Sequence, residues 1–234
     1  MGLTGGMIDA TDYLDENVYA NDEFTQFMNE VLVNGPHAFF PSYDLGGALE
    51  WEMGRFGVKG IVMNVGENDD GRSFHFYGIQ VSYNLETAMG EGNYRLILDA
   101  TSKDFLDREG INRERRKAVI ISCDQAFGDV IGGWLRFGTQ TEDAAVDYDA
   151  LYSGGIHISG KIWGREQDNI GIGYAYLDGG NGDAVGSHVA EVYARFVFNE
   201  YLAFTADIQY MKDKIRNADD ARGFLFGARM VAEF

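Results

Sequence analysis

The stretch Phe224-Leu-Phe-Gly-Ala-Arg-Met-Val-Ala-Glu-Phe234 alternates between two kinds of residue almost without error. Phe226 and Met230 fall on one side of this alternation, with two alanines and the terminal aromatics, whereas Arg229 and Glu233 fall on the other. Successive side chains of a β-strand point to opposite faces. The stretch therefore predicts a strand that has one apolar face and one face that carries charge.

The same two-faced pattern recurs upstream and gives about twelve segments, most of them ten to thirteen residues long. The predicted strands are 3–9, 45–53, 56–65, 74–85, 93–104, 117–127, 130–141, 151–163, 169–177, 189–199, 201–213 and 224–234. Strands of soluble proteins typically run about five or six residues, whereas a tilted strand of about 9–11 residues crosses a bilayer core. A repeated dyad of this length is typical of an outer-membrane β-barrel.

The connections between these segments alternate in length as well. Short turns are expected near 54–55, 86–92, 128–129, 164–168 and 199–200, and longer polar loops near 10–44, 66–73, 105–116, 142–150, 178–187 and 214–222. Short periplasmic turns and long outer loops are the plan of bacterial outer-membrane barrels. The sequence thus predicts an all-β, transmembrane, antiparallel up-and-down barrel of about twelve strands, formed by residues 1–234 as one domain. The alternative is a soluble β-sandwich, which could be extracted from cells without detergent.

Composition limits the partners of the chain. It has 234 residues with 31 Gly and only 2 Pro, which suits hydrogen-bonded strands because Pro cannot donate to a ladder. The net charge of −18 argues against nucleic acid, since phosphate binding needs clustered Lys and Arg. The acidic stretches near 67–70 and 219–220 are expected to be solvated loops. The single Cys123 excludes an internal disulfide.

The long connection 10–44 is the one irregular part of the pattern. Within it, 22–33 carries apolar residues at helical spacing, and Asp22 is placed to cap the start of a helix. The apolar residues of this segment are Phe24, Phe27, Met28, Val31 and Leu32. We expect the connection to fold into the barrel and narrow it, with its apolar face on the inner wall. An external lid is the alternative.

Five stretches resemble carbohydrate-selective porins of the OprB type. They are LTGGMIDATDY (3–13), NVYANDEFTQFMN (17–29), DNIGIGYAYL (168–177), EVYARF (191–196) and YLAFTADIQY (201–210). The resemblance implies an outer-membrane barrel, in that family usually of about sixteen strands, through which sugars pass by diffusion. Because chains of that family are longer, it also suggests one of two things: a truncated chain that lacks N-terminal strands, or a shortened relative.

Strand alternation assigns a set of mostly charged side chains to the lumen. The predicted pore-lining and solute-binding residues are Glu50, Glu52, Lys59, Arg95, Asp99, Trp134, Arg136, His157, Lys161, Glu191, Arg195, Asp207, Arg229 and Glu233. Charges on the lipid face would cost about 2–4 kcal/mol each at mid-membrane, which supports this assignment. Guanidinium and carboxylate groups can hydrogen-bond sugar hydroxyls, and Trp134 would stack on a pyranose. Mutual pairing of the charges is the alternative.

The sequence gives no sign of an enzyme, a cofactor or a metal. The four histidines, His37, His75, His157 and His188, show no ligand spacing. The Gly pair at 171–173 is not a nucleotide fingerprint, because no helix is predicted after it. The acids Glu50 and Glu52 are neighbours on one strand face and lack the facing geometry of a glycosidase.

The predicted function is therefore passive diffusion of small sugars, similar polar solutes and ions through a polar lumen in the bacterial outer membrane. The expected partners are membrane lipids, lipopolysaccharide and the solutes themselves, and a homo-oligomer is left open. The alternative is a structural or adhesive barrel with acidic loops, its lumen plugged by 10–44. Liposome swelling with sugars would separate the two.

Overall fold

A computed structural model of the chain describes residues 1–35, 40–68 and 70–233, so the predictions that involve His37, Asp69 or Phe234 fall outside it. The strands are β1 (Gly2–Ile8), β2 (Asp44–Met53), β3 (Phe56–Val65), β4 (Phe74–Thr87), β5 (Gly90–Thr101), β6 (Phe105–Leu106), β7 (Arg113–Glu114), β8 (Lys117–Phe127), β9 (Ile131–Gln140), β10 (Tyr148–Ser159), β11 (Asn169–Gly179), β12 (Ala184–Asn199), β13 (Leu202–Ile215) and β14 (Ala221–Ala232). The helices are α1 (Glu30–Val33) and two 3-10 turns, Ala10–Asp12 and Gly160–Trp163. Within the described ranges no helix has the length and apolar character needed to cross a membrane.

Twelve strands form one antiparallel sheet in the order β1-β2-β3-β4-β5-β8-β9-β10-β11-β12-β13-β14. Each strand pairs with its neighbours in the sequence, as in an up-and-down meander, and β6 and β7 form a separate hairpin. The prediction of about twelve antiparallel strands is therefore confirmed. The strand β1 has register partners only in β2, and β14 only in β13, among the described residues.

The two faces of this sheet differ in the way that the alternation predicts. On β4, exposed Tyr77 and Ile79 alternate with buried Phe76, Gly78 and Gln80. The outer-face side chains are mostly apolar over the middle of the strands, and charged residues such as Arg222 come near the strand ends, so this face suits contact with lipid. The opposite, inner face carries the buried residues, both polar and apolar.

Two apolar clusters lie on the inner side. The first is built from strands β2 to β8 and includes Ile61, Phe76 and Ile120, all with little or no exposure. The second joins α1 and the residues before it to the strands β9 to β12, through Leu32 and Leu151 among others. Both clusters include residues from the connection between β1 and β2.

Several strand bounds differ from the prediction. The strand predicted over 151–163 ends at Ser159, whose hydroxyl accepts from the backbone N–H of Lys161, and a 3-10 turn follows. Gly164, with a φ of 77° that favours glycine, ends this turn. Placing Lys161 on the inner face of a strand was therefore wrong. The strand β12 begins at Ala184, which shortens the loop predicted over 178–187.

The helix predicted over 22–33 is reduced to the four residues of α1. Asp22 does cap a turn, because its carboxylate accepts from the backbone N–H of Phe24 at 2.7 Å. The helix does not continue, because Glu191 of β12 takes the N–H groups of Met28 and Asn29 that a helix would use. A tertiary hydrogen bond has thus overridden the local periodicity.

Candidate functional site

The connection after β1 contributes a stretch, residues 9–35, that we call the inserted segment. It lies against the inner face and crosses it in order along the sheet. The backbone N–H of Asp15 donates to Gln80 of β4 at 2.8 Å, and the Asn17 amide donates to Ser122 of β8 at 3.2 Å. Farther along, the Asn29 amide donates to Gln209 of β13 at 3.0 Å.

Arg136 of β9 fixes the middle of the inserted segment. Its Nε lies 2.5 Å from a carboxylate oxygen of Asp15, and both side chains have 0 % exposure. The guanidinium also donates to the carbonyl of Ala20 at 2.8 Å and to those of Leu32 and Val33 at 3.3 and 3.2 Å. A planar guanidinium has five donors, so one side chain holds three separate parts of the inserted segment.

Glu191 of β12 fixes the next part. Its side chain is 1 % exposed, and its two carboxylate oxygens accept from the backbone N–H groups of Met28 at 2.6 Å and Asn29 at 3.0 Å. Backbone N–H groups that are shielded from water need an acceptor, and here the side chain of one residue accepts from two of them. Glu191 therefore acts here as a positioning residue for the backbone that precedes α1.

A second charged network lies on β3, β5 and β8. Arg95 pairs with Asp124 at 2.6 Å and donates to the carbonyl of Glu16 at 2.8 Å. Lys59 bridges the carboxylates of Glu16 at 2.7 Å and Glu50 at 3.1 Å. Lys59, Glu50, Arg95 and Asp124 are thus satisfied by one another and by the inserted segment, whereas Oδ2 of buried Asp99 on β5 has no hydrogen-bond partner among the described residues.

The predicted stacking platform is covered. Trp134 is 3 % exposed, its ring meets that of Phe27 edge-on at 5.7 Å, and the Arg136 guanidinium lies 5.5 Å from its centroid. His157 likewise stacks on Tyr19 at 5.1 Å. A sugar would reach the Trp134 ring only after the inserted segment moved, so the stacking role predicted for Trp134 does not fit this packing.

The last strand, β14, holds residues 23–26 of the inserted segment. Arg229 of β14 donates to the backbone carbonyls of Glu23 and Gln26, the latter at 2.8 Å. Asp207 of β13 is buried and accepts from Gln209 at 2.8 Å. Arg229 thus holds the inserted segment, whereas the hydrogen bond of Asp207 lies within β13.

Arg195 of β12 differs from the arginines described above. Its side chain is half-buried, and it has no hydrogen bond or ion pair with any described residue. It lines a cavity of about 380 Å³ beside the short turn between β12 and β13. Gln167, Val197, Val231 and Glu233 line the same cavity. Here a charged donor on the inner side faces open space.

The structure brings most of the predicted site residues to the inner face. Those on the inner side of their strands are Glu50, Lys59, Arg95, Asp99, Trp134, Arg136, His157, Glu191, Arg195, Asp207 and Arg229. Three others lie near the short-turn end: Glu52 is exposed, Lys161 is exposed on the 3-10 turn, and Glu233 follows β14. Their role in solute passage stays a prediction.

The sequence interpretation missed the partners of these residues. The same alternation that selected Arg95 also places Gln80, Ser122 and Asp124 on the inner face, so the pattern could have found them. Asp15 lies in irregular chain, and no spacing in the sequence connects it to a strand more than a hundred residues away.

Comparison with known proteins fits this geometry. The model of the carbohydrate-selective porin, OprB family, matches residues 3–234. The chain belongs to this family. It is 30% identical over 233 residues to an uncharacterized protein of Aquifex aeolicus (strain VF5), covering 100% of this chain and 64% of the relative. It is also similar to the high-pH structure of Pseudomonas putida OprB, with a TM-score of 0.77 over 99% of this chain and 69% of that one, at 13% identity.

The likeness to the solved porin shows the fold alone, because the identity is low. It confirms the all-β porin barrel that the strand pattern predicts. The family match confirms the resemblance carried by the five quoted stretches. This OprB-family chain spans only 64% of the length of the Aquifex relative.

Proposed function

We propose that this porin lets small sugars, similar polar solutes and ions diffuse passively across the bacterial outer membrane. The observation that carries the proposal is the division of the sheet into an exposed apolar outer face and an inner face rich in charged and amide side chains. Membership of the carbohydrate-selective family supports sugars as the solute class. An inner wall of this kind replaces part of a solute's hydration shell without chemistry.

The cavity beside Arg195 supplies the groups that such transfer requires. The guanidinium of Arg195 offers unused donors for hydroxyl oxygens, and Glu233 offers an acceptor on the same cavity wall. Val197 and Val231 add apolar surface for the C–H face of a sugar ring. Binding at such a mixed, open wall is weak, and a solute must leave as readily as it enters.

The inserted segment would set the width of the passage. It covers the inner face from β3 to β14 through side chains such as Arg136 and Glu191, so solutes would pass between it and the uncovered wall. In this proposal 9–35 is a fixed constriction, because its anchoring groups are buried and charged rather than loosely packed.

A second function is favoured by the same anchoring. The Asp15–Arg136 pair is fully buried, and a segment held this firmly could plug the lumen of a structural or adhesive barrel. The acidic outer loops would then carry the function. The two proposals differ in one measurable property, which is the permeability of the barrel to sugars.

Swelling of proteoliposomes separates the two proposals. The purified protein is reconstituted into liposomes, which are then diluted into isotonic solutions of arabinose, glucose, maltose or raffinose. A sugar channel gives swelling rates that fall with sugar size, and empty liposomes give none. A folded barrel that does not swell the vesicles even in arabinose would overturn the channel and support the plug.

A further inference from the structure

The outer face of β11 to β14 carries cross-strand rows whose chemistry changes along the strands. An exposed apolar row consists of Ile172, Val192, Ile208 and Phe226. The next row toward the long loops consists of Tyr174, Ala190, Tyr210 and Phe224, and the row beyond it of Tyr176, His188, Lys212 and Arg222. The face thus passes from a mainly aliphatic row to a mainly aromatic row and then to a row that contains the two cations.

The height of the basic row matches a membrane boundary. Arg222 lies ten residues before Ala232, the last residue of β14 on the short-turn side. At about 3.4 Å per residue this is about 34 Å along the strand, or about 26 Å along the membrane normal for a strand tilted by about 40°. The apolar band of such barrels is about 25 Å tall and is flanked by aromatic girdles. Arg222 and Lys212 therefore lie where lipid headgroups begin.

Two cations in this row are free to meet a ligand together. Lys212 and Arg222 are direct register partners, which places their Cβ atoms about 4.5–5.5 Å apart. Arg222 is exposed and has no hydrogen bond or ion pair with a described residue. Lys212 pairs with Asp220 at 3.3 Å, but both side chains are partly exposed, and such surface pairs are weak and easily exchanged.

The neighbours of the two cations complete a polar site. The Tyr174 hydroxyl lies 2.7 Å from Nδ1 of His188. When that hydroxyl donates, the neutral imidazole carries its proton on Nε2, which is then a donor on the same row. The acids bordering the row are Asp220 and Asp178, and Asp178 already accepts from the Tyr176 hydroxyl at 3.0 Å. In a chain of net charge −18, this basic row on the lipid-facing side stands out.

We propose that Lys212 and Arg222, with His188 beside them, bind a phosphate group of lipopolysaccharide in the outer leaflet. This rests on the proposed function, because it takes the chain as an outer-membrane barrel whose long loops face outward. The leaflet on that side is made of phosphorylated glycolipid, whose phosphates lie at the level of the basic row. Lys and Arg near an anionic membrane surface each add to binding.

The test is native mass spectrometry of the detergent-purified protein titrated with bisphosphorylated lipid A. The variant Lys212→Gln/Arg222→Gln should bind lipid A about 30-fold more weakly, from the expected contribution of two surface cations. A matched variant, Arg55→Gln/Lys161→Gln, removes the same charges from exposed positions at the short-turn end and should bind as the wild type does. Circular dichroism and heat-modifiable migration in gels establish that both variants fold, and Lys212→Arg should retain binding.

Other outcomes would overturn the proposal. Equal losses in both double variants would reduce the effect to overall charge. Equal binding of dephosphorylated lipid A would show recognition of acyl chains, and equal binding of phosphatidylglycerol would show a general phospholipid surface. Liposome swelling of the Lys212→Gln/Arg222→Gln variant keeps the two proposals apart. Lost lipid A binding with intact swelling leaves the channel standing, and intact lipid A binding without swelling removes only the channel.

Discussion

Strand alternation places two arginines on the same, inner face of the sheet, but their roles differ. Arg136 is fully buried, pairs with Asp15 and donates to three carbonyls of the inserted segment. Arg195 is half-buried, has no partner among the described residues and borders a cavity of about 380 Å³. Strand alternation decides which face a side chain occupies. The path of the inserted segment decides whether that side chain is a structural anchor or remains available to a solute.

Removing the anchor gives the largest expected effect. Arg136→Met leaves the Asp15 carboxylate buried without its counter-charge, which should lower the free energy of unfolding by about 3–5 kcal/mol. Urea unfolding in detergent micelles, followed by tryptophan fluorescence, measures the change. If Arg136→Met and Arg195→Met destabilise the protein equally, the contrast between the two arginines is wrong.

A double variant sharpens this result. Asp15→Asn/Arg136→Met removes both charges, so it should recover much of the stability that Arg136→Met loses, because no ionised group remains buried alone. The same unfolding measurement gives the coupling between the two positions. An additive loss would indicate that Arg136 acts through its carbonyl contacts rather than through Asp15.

The second anchor should give a smaller effect. In Glu191→Gln, the side chain keeps one carbonyl oxygen but turns an amide NH₂ toward a backbone N–H of Met28 or Asn29. A backbone N–H that loses its acceptor in this way should cost about 1–3 kcal/mol. The isosteric change preserves volume, so the cost reports the hydrogen bonds. Limited proteolysis should cut 22–33 faster in this variant, and unchanged cleavage would count against a positioning role.

The fold could be predicted from the sequence because the outer face meets a uniform solvent. Lipid contact requires every second residue to be apolar, as in Tyr77 and Ile79 of β4. Each strand can therefore be recognised from its own stretch of sequence. The inserted segment has no such constraint. Its helical periodicity over 22–33 correctly predicted that Phe27 and Leu32 are buried. The predicted helix was wrong, because Glu191, which is distant in the sequence, accepts a hydrogen bond from the backbone N–H of Met28.

For the candidate site, the sequence could predict only which face of the sheet each residue occupies. Alternation found Arg136 and Arg195 alike, and the sequence held no signal to tell them apart. The difference arises from Asp15 and from carbonyl groups, whose positions depend on the path of irregular chain across the barrel. The same dependence explains Trp134, which was expected to meet sugar and is covered by Phe27.

The turn next to the Arg195 cavity contains another buried charged group, Asp168, whose contribution to stability is expected to be smaller and to depend on pH. The buried Asp168 carboxylate pairs with Arg165 and accepts from the backbone N–H of Val197 at 2.8 Å. The Arg165 hydrogen bond, aided by Val197, holds the pKa of Asp168 below its usual 3.8. The stabilisation is therefore present above about pH 4 and is lost as the pH falls through the lowered pKa.

Thermal unfolding between pH 2 and pH 7 tests this dependence. The wild-type midpoint should drop in the acid range, and Asp168→Asn should show a lower midpoint at pH 7 with a smaller acid drop. The effect should stay below that of Glu191→Gln, because the Arg165 side chain is half-exposed and its pairing with Asp168 is screened by water. Identical acid profiles in the two proteins would assign the drop to other carboxylates.

Substitution of Arg195 should have the smallest effect on stability. The comparison with Arg136 is therefore tested here by ion selectivity. Arg195→Met removes a side chain that has no partner among the described residues, so the free energy of unfolding should change by no more than about 0.5 kcal/mol. The cavity nevertheless loses its positive charge while Glu233 remains. In planar bilayers under a KCl gradient, the reversal potential should therefore shift toward cation selectivity. Arg195→Lys, which keeps the charge, is the matched control and should stay close to the wild type. A destabilised Arg195→Met with unchanged selectivity would reverse the roles assigned to the two arginines.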